Sequence, residues 1–192
     1  MLLSLMSAEK IIRENDMMRT LVIYKSNTGF VKKYAEWISQ ELSADIIEVS
    51  KANPSMLSFY DTIIYGGSLH AVGIIGLNFV KKNLGKLKDK KVIVFATGAT
   101  PYREETIKEV RDKNFTSEEQ EYIKFFYLRG GFDFSKLKLL DKILMTILWI
   151  KIKMKKKNEL TSDEKGMLAA YYKPADFTKK EYIKPLVDCG NS

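Results

Sequence analysis

Residues 20–31 read Thr-Leu-Val-Ile-Tyr-Lys-Ser-Asn-Thr-Gly-Phe-Val. The first five are apolar and rich in β-branched side chains, as a short strand buried on both faces requires. A Ser/Asn/Thr/Gly turn then stops the run. Phe30 to Leu42 follows with Val31, Tyr34, Ala35, Ile38 and Leu42 at helical spacing. In a tight strand-to-helix turn, backbone N–H groups and the positive end of the helix dipole converge on one point, which suits an anion. The turn holds no lysine and no GK[ST], so it is not a Walker nucleotide loop. It has no G-x-G-x-x-G, so it is not a dinucleotide fingerprint. Two readings remain: a monophosphate cradle of neutral donors, or an ordinary βα turn with a Ser/Thr cap.

Working outward, the same alternation repeats. Asp45–Val49, Asp61–Tyr65, Lys91–Ala96 and Ile123–Leu128 read as further strands. Asn53 before Pro54 reads as an N-cap with proline at the first helical position. The spacing predicts helices over Ile75–Leu84 and Glu104–Lys113. Thr116 and Glu119 fit a capping box, as do Thr178 and Glu181 ahead of a last helix at Lys179–Val187. Five short apolar strands alternating with helices give an α/β, doubly wound parallel sheet. The domain reads as residues 19–192, behind an N-terminal extension at 1–18. The apolar stretch of that extension is only Met1–Met6, with no basic residue before it and Glu9 soon after, a poor signal peptide. A cytoplasmic protein is expected.

The chain has 192 residues, 45% of them hydrophobic, with one cysteine (Cys189) and one histidine (His70). That excludes a disulfide framework and a cysteine-ligated metal or cluster, and it leaves no basis for a His-rich metal site. No metal is expected. The net charge of +8 favours an anionic partner.

Small residues also follow the third and fourth strands: Gly66-Gly67-Ser68-Leu69-His70-Ala71-Val72-Gly73 and Thr97-Gly98-Ala99-Thr100-Pro101-Tyr102. Ligands of such sheets sit outside the carboxyl ends of the strands. With the Tyr24-x-Ser26-x-Thr28-Gly29 turn, the Gly66–Ser68 loop and the Thr97-Gly98 loop in order, the sequence resembles the flavodoxin family over about Arg19 to Leu128 and the final helix. The resemblance implies a five-stranded parallel sheet of order 2-1-3-4-5 that binds flavin mononucleotide (FMN). Ser26, Asn27, Thr28, Gly29, Phe30 and Val31 would hold the phosphate. Ser68, Leu69, His70, Ala71 and Val72, with Thr97, Gly98, Ala99, Thr100 and Tyr102, would flank the isoalloxazine ring. Two departures stand out. The family commonly has Thr where Val31 sits, and the third-strand loop offers His70 in place of a stacking aromatic ring, leaving Tyr102 as the stacking candidate. His70 reads either as an exposed loop residue or as a proton donor or substrate-anion contact beside the flavin.

The stretch between the fifth strand and the last helix, residues 129–177, is far longer than a usual βα connection. Within it Lys136–Lys157 carries eight lysines and one aspartate. As one helix it would be a ~33 Å rod. Lys138, Lys142, Thr146, Lys153 and Lys156 would form a polar stripe beside a wide apolar arc. An anionic membrane surface, with Trp149, Lys153, Lys155, Lys156 and Lys157 in contact, is one reading. Packing on the protein's own sheet and a homodimer contact are the others. Sparse arginines and stacking aromatics argue against nucleic acid. Leu128–Phe134 and Asp141–Met145 also resemble the insertion of the menaquinone-dependent protoporphyrinogen dehydrogenase branch of flavodoxin-like proteins. That resemblance implies an oxidoreductase with a quinone as redox partner, with Arg129 and insertion lysines facing substrate carboxylates. A soluble electron carrier and a non-redox docking module of the same fold are the alternatives.

Overall fold

A computed structural model describes residues 18–192. Up to residue 17, the expected N-terminal extension lies outside the described residues. The strands are β1 (Thr20–Lys25), β2 (Asp45–Glu48), β3 (Thr62–His70), β4 (Gly73–Ile74), β5 (Lys91–Gly98), β6 (Ile123–Arg129), β7 (Gly131–Phe132) and β8 (Ala175–Asp176). The helices are α1 (Phe30–Glu41), α2 (Asn78–Lys82), α3 (Leu84–Leu87), α4 (Glu104–Asn114), α5 (Ser117–Tyr122), α6 (Leu139–Lys153), α7 (Ser162–Tyr172) and α8 (Lys184–Asn191). The main sheet is parallel in the order β2-β1-β3-β5-β6, with β4 folded back antiparallel on the end of β3. Counting the parallel strands alone, this is the expected 2-1-3-4-5.

The continuous apolar runs follow from burial on both faces. On one face Val22, Ile64, Ile93 and Phe95 pack against Val31, Tyr34, Ala35 and Ile38 of α1 and Leu186 of α8. On the other, Leu21, Ile23, Ile63, Tyr65, Val92 and Val94 pack against Val80, Leu87, Val110 and Phe115. The Asn53 cap forms, its side chain accepting from Ser55 N, and so does the Thr116/Glu119 capping box.

Four local expectations are corrected. β3 does not stop at Gly66 but continues to His70. A Cβ on Gly66 would lie 2.1 Å from the Phe95 ring, and one on Gly67 would lie 2.5 Å from Ile74. These glycines make room for core side chains inside the strand. The helix expected at Ile75–Leu84 is replaced by a turn at Gly76 (φ +80°) and the short α2 and α3. The Thr178/Glu181 capping box does not form. Thr178 Oγ1 donates to Asp176 Oδ1 at 2.6 Å, Glu181 pairs with Lys179 at 3.2 Å, and α8 begins only at Lys184.

The fourth correction concerns the insertion. Its helix α6 has 15 residues, about 22 Å. The chain then reverses because Thr161 and Glu164 cap α7 reciprocally. α6 and α7 form a hairpin in which Trp149 stacks on Tyr171 at 5.0 Å and Phe134 lies 4.3 Å from Tyr171. β7 and β8 pair at its neck. The packed side of α6 carries Met145, Thr146, Trp149 and Ile152, and Thr146 Oγ1 lies 3.1 Å from Tyr171 Oη. Thr146, read as part of the outer polar stripe, therefore faces the hairpin interior. The outer arc is apolar: Leu139 and Leu140 are each 74% exposed, and Ile143, Leu144, Ile147 and Ile150 are exposed too. Among the described residues, no helix is long and apolar enough to cross a membrane.

Candidate functional site

The turn after β1 keeps its helix terminus open. Gly29 is the N-cap of α1 at φ +97° and ψ −22°, and no side chain caps the helix. A Cβ at Gly29 would meet nothing within 4 Å. The Ser26 hydroxyl accepts from Gly29 N at 3.1 Å and so shapes the turn. No side chain caps the first turn of this twelve-residue helix, and its N-cap Gly29 is exposed next to Ser26, Asn27 and Thr28. That is a ready anion site. The Val31 side chain is fully buried in the core, so at that position only the backbone N–H is left for a ligand.

Two further loops reach the same edge of the sheet. Ser68, Leu69 and His70 lie on the extended end of β3, and Ala71 turns the chain into β4 with φ +53°. The buried Asn114 at the end of α4 fixes this hairpin. Its amide donates to Val72 O at 2.6 Å, and its carbonyl accepts from Ile74 N at 2.9 Å. The Tyr65 hydroxyl donates to Ile75 O at 2.8 Å. In the loop after β5, Thr97 is buried and Gly98 and Ala99 are half-buried, whereas Thr100 and Tyr102 are exposed. Here Tyr127 Oη donates to Thr100 O at 2.7 Å, and Arg129 Nε donates to Ala99 O at 3.3 Å. Burial pushes the Tyr127 and Tyr34 hydroxyls up to about 12 and also raises Tyr65, so all three stay protonated donors at neutral pH. Tyr34 donates to Arg129 O at 2.6 Å and ties α1 to the neck of the insertion.

His70 is exposed, and its Nε2 lies 3.1 Å from Asp141 Oδ1 at the start of α6. The histidine therefore joins the β3 loop to the insertion. The other insertion residues divide. Trp149 lies between α6 and α7 and not on the outer arc, which corrects the membrane contact expected of it. Lys155 is engaged by Glu164 at 2.6 Å and holds the hairpin together. Lys153 lies over the Trp149 ring at 4.6 Å with its residue exposed, and Lys156 is exposed. Arg129 sits on the Phe177 ring, 3.9 Å from its centroid.

Residues 21–162 match the model of the flavodoxin domain. The chain belongs to the flavodoxin-domain family. An uncharacterised protein of Methanocaldococcus jannaschii is 33% identical over 103 residues, which is 50% of this chain. The match spans 65% of that relative's length. Among solved structures, an oxidised flavodoxin 2 from Bacillus cereus is 20% identical over 58% of this chain and 85% of its own, with a TM-score of 0.40. A flavoprotein from Lactobacillus acidophilus, in complex with FMN, is 19% identical over 58% of this chain and 92% of its own, also with a TM-score of 0.40. The strand order and the family match carry the fold, and these loose overlays place no side chain.

The flavodoxin-domain site brings the three predicted loops to one sheet edge. Sequence reading missed the residues that brace them: Asn114, Tyr65, Tyr127 and Asp141. A signal existed for the tyrosines, since a tyrosine inside a buried strand needs an acceptor for its hydroxyl. Asn114 and Asp141 gave none, because their partners are distant in sequence.

Proposed function

We propose that this flavodoxin-domain protein is an FMN-dependent oxidoreductase working at an anionic membrane surface. It passes hydrogen from a protoporphyrinogen-type donor to a quinone, which leaves as quinol. The observation that carries the flavin reading is the open turn at Gly29, where a helix start without a side-chain cap stands next to two hydroxyl side chains and a Cβ at Gly29 would meet nothing within 4 Å. The residues fit the cofactor in a specific way. The turn would hold the phosphate, and the braced loops at 68–72 and 97–102 would flank the ring. FMN supplies the electron and hydride transfer. The chain supplies position: Asn114, Tyr65 and Tyr127 fix the loops before any ligand arrives. The outward apolar arc of α6, among exposed lysines, supports the membrane location. His70, beside the ring loop, is the available proton donor.

The test is an absorption spectrum of the purified protein before and after FMN addition and desalting. Retained flavin bands, followed by quinone reduction with a porphyrinogen donor, are expected. No retained flavin after excess FMN removes the oxidoreductase reading.

A further inference from the structure

β6 is the last strand of the main sheet and is paired on one side only, with β5. A cleft of about 630 Å³ runs along its other side. Phe125 lines the cleft from the sheet face that carries Val110 and Phe115, whereas Phe126 and Leu128 line it from the face that carries Tyr34 and Leu186. Side chains of opposite faces meet in one opening only around the free edge of a strand. Ile107 of α4 walls that edge on one side, and Tyr182 and Pro185 wall it on the other.

The edge itself is open. Among the described residues, the backbone of Phe125, Phe126 and Tyr127 has main-chain partners in β5 alone. The N–H and C=O groups of alternate residues therefore face the cleft unpaired. Sheet edges are usually kept short or guarded by charge. The opposite edge follows that rule, since β2 is four residues long with Asp45 and Glu48 at its ends. β6 is seven residues long, and from Phe125 to Leu128 it holds no charge, proline or glycine. Its charges lie towards the two ends, and both are cationic. Lys124 is exposed, and Arg129 is held by neutral groups, its Nε donating to Ala99 O and its plane resting on Phe177. Glu181, the carboxylate on the cleft wall, is engaged with Lys179 at 3.2 Å.

We infer that this edge binds an extended peptide segment of a partner protein, which adds a strand to β6 and is apolar in its middle and acidic at its ends. Main-chain bonds to the open edge supply the affinity, and the two cations set the charge of the partner. A second copy of β6 fits less well, because the strand carries two cations and no carboxylate. The site needs no flavin.

The probe is the fluorescein-labelled peptide Glu-Val-Thr-Val-Thr-Val-Glu, titrated by anisotropy against the whole chain without added FMN. Saturable one-to-one binding is expected. N-methylation of one alternate set of its amides should abolish binding, and N-methylation of the other set should leave it within about twofold, because only every second amide of an added strand faces its neighbour. Exchanging both glutamates for lysine should weaken binding by about tenfold. Lys124→Glu, a change at an exposed side chain, should weaken the acidic peptide and strengthen the lysine one. Equal effects of the two methylated sets would overturn strand addition, and so would a lack of saturable binding by the acidic peptide. A concentration-dependent dimer in sedimentation velocity that excludes the peptide would also overturn the inference, in favour of a second copy at this edge.

Discussion

Gly29 concentrates the chemistry of the first loop in one backbone angle. At φ +97° a side chain is strained whatever space surrounds it, and the space here is open. Gly29→Val should cost about 1–2 kcal/mol of stability. It should also weaken FMN by more than about tenfold, because the branched side chain would fill the volume that the phosphate needs. Thr28→Ala should act in the same direction through a lost donor. Tyr127→Phe makes the complementary test at the other loop. It removes the bond to Thr100 O, at a cost of about 1 kcal/mol, and loosens the 97–102 segment proposed to flank the ring. Riboflavin lacks the phosphate, so fluorescence titrations with both flavins separate the two roles. Gly29→Val should weaken FMN and leave riboflavin unchanged, whereas Tyr127→Phe should weaken both by a similar factor. The opposite pattern would mean that the phosphate and the ring occupy the loops in the reverse sense.

Among the elements, the insertion hairpin is set apart by its carboxylates. Asp133, Glu164 and Asp176 are the described carboxyl groups held below the ordinary range, and all three belong to the insertion. The Ser135 hydroxyl bond lowers Asp133, and the Lys155 ammonium lowers Glu164. At Asp176 burial pulls upward, and the Thr178 hydroxyl and Lys33 together outweigh it. A depressed carboxyl stabilises the fold above its unfolded value, and that contribution drains away as pH falls through the lower folded value. Below about pH 4 the hairpin and its neck should therefore loosen before the sheet. Trp149 fluorescence in a Trp37→Phe background should change on acidification ahead of the far-ultraviolet dichroism. Coincident transitions would show that the hairpin is as stable as the sheet. The elements also show what the sequence made legible. Strand type followed from short runs such as Thr20–Tyr24, because burial on both faces leaves a local signature, whereas the order of the strands across the sheet came from the flavodoxin resemblance. The end of β3 was misread because Gly66 and Gly67 look like turn residues until the Phe95 ring and Ile74 are seen against them. The hairpin was misread as one rod because the lysine-rich pattern runs on past Lys153, although the Thr161/Glu164 capping pair that opens α7 stands in the sequence; its packing, Tyr171 on Trp149, is what periodicity does not encode. That three small-residue loops meet at one sheet edge was legible, but the side chains that brace them were not.

For the whole molecule, the question is what covers the outer arc of α6. Charge and apolar surface lie together there. The stretch 136–157 accounts for nearly all of the net +8, and Leu140, Leu144 and Ile147 are exposed among its lysines. A contiguous apolar face of this kind marks an interface, and lysines beside it favour an anionic one. The three readings of the sequence predict different responses to the same substitutions. Replacing Lys138, Lys151, Lys153 and Lys156 with Gln should lower sedimentation with phosphatidylserine-containing liposomes by at least about tenfold at low salt, given roughly 1 kcal/mol per lysine near such a surface. It should also flatten the salt dependence of what remains. Replacing Leu140, Leu144 and Ile147 with Ser should abolish liposome binding at every salt concentration while lowering the melting temperature only slightly, because these side chains are more than half exposed and lose mainly helix propensity. A large fall in melting temperature, beyond the propensity cost of three serines, would mean that the arc packs against the protein's own body. A concentration-dependent dimer in the parent chain, lost in the serine variant, would assign the arc to a second copy. Liposome binding that survives both sets of substitutions would remove the membrane from the proposed function, and the proposed quinone acceptor would then have to be reached from solution.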